Sequence, residues 1–138
     1  MTEGLGSAQA SLPERIRWGR ALVGALLLEL MLTLVSAPLI ALGHQDYLVD
    51  MILPATAVAA VLAGVWVGRR AAQAVLNGAM VGVIAIGLYV VLAVVATMLR
   101  PEMADFSTAL SPIYLATHAL KVVGGAVGGW LAARRRAS

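Results

Sequence analysis

Apolar residues in this chain neither alternate nor keep to one helical stripe; they fill whole stretches. Such stretches run over roughly 21–42, 51–67, 73–99 and 112–133. Each approaches or exceeds the ~17–25 residues that a helix needs to cross a bilayer. The pattern therefore predicts an all-α, four-helix transmembrane bundle. Residues 1–10 are small and polar and read as a disordered tail, leaving 11–138 as a single four-span domain. Ser11 and Glu14 have the spacing of a capping box, and Pro13 suits a first turn. A helix is thus expected to begin at Ser11 and continue through Ile16 and Trp18 into the membrane, with Pro38 bending its far end.

Residues 43–50 read as a short loop, with Asp50 capping the second helix and Pro54 in its first turn. The turn at Gly68-Arg69-Arg70 is shorter still, which predicts that spans two and three are antiparallel neighbours. Residues 100–110 read as an interfacial turn, after which Ser111-Pro112 begins the last helix in the order cap, then proline.

Composition narrows the class. Hydrophobic residues make up 61% of the 138 and charged residues only 12%, about half the ~25% of soluble domains. Cysteine is absent, which removes disulfides and thiolate metal sites. The first apolar stretch is longer than the ~7–15-residue core of a cleaved signal peptide, so it is expected to stay in the mature protein.

A net charge of +3 raises the question of nucleic acid, but the positions of the charges answer it. Arg15, Arg17, Arg20, Arg69, Arg70, Arg134, Arg135 and Arg136 all fall on one side of a four-span topology. The other side has Arg100 with Asp46, Asp50, Glu102 and Asp105. The positive-inside rule puts both termini in the cytoplasm; the expected membrane is a bacterial inner membrane. The arginines read as topology signals and lipid-headgroup contacts rather than a nucleic-acid footprint. Trp18, Trp66 and Trp130 each lie within four residues of Arg20, Arg69 or Arg134, marking one interface plane.

Inside lipid, helices associate through close packing of small residues. Thr56, Ala60, Gly64 and Gly68 make one stripe on span two, and Gly78 and Gly82 another on span three. Span four carries two stripes, Gly124/Gly128 and Gly125/Gly129. Packing within the chain is the first reading. The doubled stripe adds the expectation of a homo-oligomer or of other membrane subunits as partners.

Glu29 interrupts the apolar run ALLLELMLTL, and Lys121 is the only lysine. Glu29 lies eleven residues beyond Trp18 and Lys121 nine before Trp130. On antiparallel helices rising ~1.5 Å per residue they share a depth to within roughly 3 Å. A lone charge at a helix centre costs ~2.5–3.5 kcal/mol on insertion scales, so a buried Glu29–Lys121 ion pair is expected. Thr33 and Ser36 follow Glu29 at helical spacing, and Tyr114 and His118 precede Lys121 in the same way. Tyr89 and Thr56 are further polar residues available to such a cluster.

The pair has a structural reading, a neutral bridge that sets helix register. It also has a functional one, a carboxylate that exchanges protons or cations. His44 reads as a loop residue. The chain lacks a nucleophile–base set, a phosphate loop, paired acids and a metal-ligand spacing, so neither an enzyme nor a cofactor or metal site is expected. The leading expectation is a structural or accessory membrane subunit, and the alternative is a small proton- or ion-coupled transporter using Glu29.

Two resemblances accompany these readings. A small four-span chain with a glutamate in span one is similar in outline to the small multidrug-resistance transporters, in which that glutamate exchanges protons for cationic drugs. Only Glu29 carries over; the aromatic residues around that family's glutamate are missing here, and Lys121 disfavours a cationic substrate. The stretch LAGVWVGRRAAQAVLNGAMVGVIAIGLY (62–89) resembles uncharacterised small four-helix bacterial membrane proteins with a GRR…NG helix-turn-helix signature. That resemblance implies a four-helix fold and no particular activity.

Overall fold

Apolar runs of bilayer length favour long helices even where they carry glycine or proline, and four such helices make up the computed structural model, which describes residues 16–99 and 111–137. They are α1 (Trp18–Ala41), α2 (Gln45–Gly68), α3 (Ala74–Leu99) and α4 (Pro112–Ala137). At ~1.5 Å per residue each is roughly 36–39 Å long, enough for a ~30 Å hydrocarbon layer. Three of the four, α1, α2 and α3, are long and apolar enough to cross a membrane.

The four expected helices are present, and α4 is the one that falls short of the apolarity of a membrane span. Its 26 residues suffice in length, but four glycines, Thr117, His118 and Lys121 dilute its apolar character. The reason lies in the packing. Thr117, Lys121, Gly124, Gly125, Gly128 and Gly129 are buried, whereas Leu115, Val123 and Val127 are exposed. The polar and small positions of α4 face its neighbours.

Helix boundaries differ from expectation in three places. Arg17 has φ −84° and ψ 75°, outside helical geometry, so α1 begins at Trp18 instead of running in from Ser11. Ser11, Pro13 and Glu14 lie outside the described residues. The first connection is only residues 42–44, turned by Gly43 at φ +73°, a conformation that favours glycine. Helix α2 consequently starts at Gln45 with Asp46 in its first turn; Asp50 is not a cap, and Pro54 sits inside the helix. A tighter turn lets two more helical turns form, at the cost of the hydrogen bond that Pro54 cannot donate. At the other end, α4 continues through Arg134–Arg136 to Ala137, where three cations complement the helix C-terminus. Pro112 opens α4 as expected, but the Ser111 hydroxyl has no hydrogen-bond partner; its backbone oxygen accepts the N–H of Tyr114 and Leu115 instead. The turn expected over residues 100–110 lies outside the described residues.

Helix α4 runs between α2 and α3, parallel to the first and antiparallel to the second. Gly124 and Gly128 face α2, where a Cβ on Gly124 would come 2.8 Å from the Ala60 side chain. Gly125 and Gly129 face α3, where a Cβ would run into the backbone of Gly78 and Ala74. Gly64 also meets Gly125, Gly68 meets Gly129, and Gly82 meets the backbone of Lys121. Both stripes of α4 are thus occupied within the chain, one per neighbour. Helix α1 covers the opposite side of the α2–α3 pair. Ala25, Leu28 and Leu32 join Ala59, Ala60, Ala63, Val67, Val81 and Ala85 in one buried cluster. Around this core, Leu22, Leu26, Leu30, Leu34, Val91 and Leu92 are exposed. That outward display of large apolar side chains suits a lipid surround and points to an integral membrane location.

Candidate functional site

No Cα of α1 comes within 8 Å of a Cα of α4 among the described residues. The two helices lie across the bundle from each other, and Glu29 and Lys121 reach over that gap. Lys121 Nζ donates to Glu29 Oε1 at 2.6 Å. The lysine side chain is 3% exposed and the glutamate 20% exposed, so the carboxylate is the more accessible member. The ammonium also lies 5.5 Å from the centroid of the Tyr89 ring, within cation–π range.

Tyr89 joins α3 to the same cluster. Its ring is 4.9 Å from His118 and 6.1 Å from Tyr114, both tilted. Glu29, Thr33, Ser36, Tyr89, Tyr114, His118 and Lys121 all line one partly open cavity of about 510 Å³. Its walls are completed by aliphatic residues of all four helices, among them Leu32, Ile40, Leu48, Ile52, Leu92 and Ile113. These lie in the half of the bundle away from the tryptophans. Beneath the pair, Leu28, Val67 and Val81 are fully buried and fill the interior.

The hydroxyls are largely committed to their own helices. Thr33 donates to the Glu29 carbonyl at 2.9 Å and Ser36 to that of Thr33 at 3.4 Å. The His118 Nδ1 atom is buried and makes no hydrogen bond. The grouping of Glu29, Lys121, His118, Thr33, Ser36 and Tyr114 expected from spacing is thus brought together. Thr56 is not part of it: fully buried, it donates to the Ile52 carbonyl at 2.6 Å and stays off the cavity wall. Thr117 was missed. It lines the cavity while donating to the Ile113 carbonyl at 2.7 Å, and its place one turn before Lys121 was the available signal.

A second polar constellation ties the arginine-rich end. The Arg17 backbone N–H donates to Asn77 Oδ1 at 2.8 Å, and Arg17 Nη1 to the Arg70 carbonyl at 2.7 Å. Arg20 Nη2 donates to the Trp66 carbonyl at 2.8 Å, and its guanidinium carbon lies 4.8 Å from the Trp66 ring centroid. Arg136 Nη2 reaches the Ala71 carbonyl at 2.9 Å, and Arg134 stacks over Trp130 at 4.0 Å. These cations satisfy carbonyls at the end of α2 and in the α2–α3 turn that the helix itself leaves open. Trp18 and Arg69 are exposed at the same end of the bundle. Asn77, fully buried, was missed as a structural residue; the NG pair that opens α3 was its trace in the sequence.

The chain matches no protein-family model, no curated protein and no solved structure.

Proposed function

We propose that the chain is a non-enzymatic integral membrane protein, a structural or accessory subunit of a membrane assembly, with four spans and both termini on the cytoplasmic side. The observation that carries the reading is the 2.6 Å bond from Lys121 to Glu29 across two helices without backbone contact. Such a pair fastens α1 to the far side of the bundle and makes α4 tolerable within lipid, because each charge offsets the other. The collection of arginines at one end supports the orientation. A partner subunit would meet the exposed leucines of α1, since the glycine faces of α4 are already covered.

A double-substitution cycle tests the fastening role. Glu29→Gln and Lys121→Met should each lower unfolding stability by roughly 2–4 kcal/mol, with the glutamate change at the lower end because its side chain is partly exposed. The double substitution should recover most of that loss. A double variant no more stable than the worse single one would refute it.

A second reading, proton- or ion-coupled transport, is favoured by one observation: the Glu29 carboxylate borders the cavity while Lys121 is buried behind it. On that reading Glu29→Gln leaves folding intact and abolishes a pH-dependent flux in proteoliposomes.

A further inference from the structure

We infer that Arg17, Arg70 and Arg136 form a binding site for the phosphate of an anionic phospholipid, at the end of the bundle that carries the tryptophans. Three elements converge there. Arg17 comes from the start of α1, Arg136 from the last turn of α4, and Arg70 from the α2–α3 turn itself. Two of the guanidiniums are clamped on carbonyls of adjacent residues. Arg17 Nη1 donates to Arg70 at 2.7 Å and Arg136 Nη2 to Ala71 at 2.9 Å. Adjacent Cα atoms are only ~3.8 Å apart, so two cations are held over one short piece of backbone that carries a third.

All three side chains are exposed. The carbonyls fix Arg17 and Arg136 in place without cancelling their charge. The described carboxylates are elsewhere: Glu29 is paired with Lys121 in the middle of the bundle, and Asp46 and Asp50 lie in the first two turns of α2, at the opposite end. A guanidinium that spends one N–H on a carbonyl keeps the rest of its fork, whose geometry suits phosphate. Like charges held together repel, and a phosphate received among them relieves that repulsion while accepting charge-assisted hydrogen bonds.

The surroundings make the phosphate that of a lipid. Trp18, Trp66 and Trp130 are exposed at the same end, and indole rings settle at headgroup level. From Arg20, the exposed side chains of Leu22 and Leu26 continue along α1. A ligand with its phosphate at the guanidiniums can lay acyl chains on that apolar surface, which offers nothing to a soluble phosphate. The site does not involve the Glu29–Lys121 pair and stands or falls apart from the role proposed above. It requires only that this end of the bundle meets a bilayer surface.

All three tryptophans of the chain lie at this end, so their fluorescence reads the lipid that collects there. The test reconstitutes the full chain in phosphatidylcholine bilayers with rising fractions of a quenching lipid brominated on its acyl chains. That lipid is either phosphatidylglycerol or phosphatidylcholine with the same chains. Half-maximal quenching should need a roughly fivefold or more smaller fraction of the brominated phosphatidylglycerol. Arg17→Gln with Arg136→Gln should bring the two lipids to within about twofold of each other. Arg69→Gln with Arg135→Gln removes the same charge from the same end and should keep most of the preference. Arg70→Gln leaves both carbonyl clamps in place, and should lower the preference roughly twofold even if the double variant at positions 17 and 136 fails to fold. Equal quenching by the two lipids in the unaltered chain, or a preference untouched by Arg70→Gln, overturns the assignment. So does an equal loss in both double variants, which reduces the site to the general attraction of a basic surface. Competition by inorganic phosphate at matched ionic strength also overturns it, by making the ligand a soluble anion.

Discussion

The backbone N–H of Arg17 is held by the side chain of Asn77, 60 residues away, at 2.8 Å. The bond sits where α1 loses its helical geometry and where α3 begins. It gives an acceptor to one of the helix-start N–H groups that no side chain of α1 caps, and it fixes the register of two parallel helices at one end. Asn77→Leu keeps the volume and removes the acceptor. It should cost about 1–3 kcal/mol of stability, and hydrogen exchange at the Arg17 amide should accelerate while amides in the middle of α4 keep their protection. An Arg17 amide as protected as before would show that the bond is not made in the membrane.

Glycines divide into two groups by what surrounds them. A methyl group on Gly78 would strike the backbone of Gly125, whereas Gly87 has nothing within 4 Å of the same position. Gly78→Ala should therefore destabilise the bundle by about 1–3 kcal/mol or more through overpacking. Gly87→Ala should be neutral or stabilise by roughly 0.5–1 kcal/mol, because alanine restricts the unfolded chain. Parallel unfolding titrations in mixed micelles compare them; equal losses would mean that α3 and α4 are not in backbone contact.

Orientation can be read directly, since the natural chain has no cysteine. Single cysteines at His44, Ala72 and Ala137, all exposed positions, accept a membrane-impermeant maleimide only from the face where they lie. Four spans require Ala72→Cys and Ala137→Cys to label from the same face and His44→Cys from the other. Labelling of Ala137→Cys together with His44→Cys would mean that α4 does not cross.

Tyr89 presents its ring to the Lys121 ammonium. Tyr89→Phe keeps the aromatic face and should change stability little. Tyr89→Leu should cost about 1–2 kcal/mol, most of it absent when Lys121 is methionine. A loss unchanged by Lys121→Met would assign the effect to packing alone.

Much of this architecture was legible in the sequence because bilayer-length apolar runs leave a helix few alternatives. The meeting of Glu29 and Lys121 was legible too, since depth along two antiparallel helices is countable from tryptophans that mark a plane. Boundaries were less so. Asp50 and Pro54 have the composition of a helix start, yet Gly43 turns the chain early and the helix forms through both. Ser11 and Glu14 suggested a continuous entry into α1, whereas a non-local hydrogen bond from Arg17 to Asn77 breaks it at Trp18. Contacts between residues 60 positions apart leave no local periodicity. The doubled glycine stripe illustrates the same limit: its spacing shows two close-packing faces, but only the fold shows that α2 takes one and α3 the other.

The burial of Thr117, Lys121 and the four glycines of α4 against the other helices bears on how the protein is made. Helix α4 follows the other three in the chain and is the one of the four least able to enter lipid by itself. Among the described residues its lysine finds a counter-charge on the first helix, already placed, and its glycines find backbone on the second and third. On the four-span reading proposed above, insertion of α4 is coupled to assembly of the preceding three. A chain halted before Pro112 would leave two glycine-lined faces exposed to lipid, a form that cellular quality control can distinguish from the finished protein.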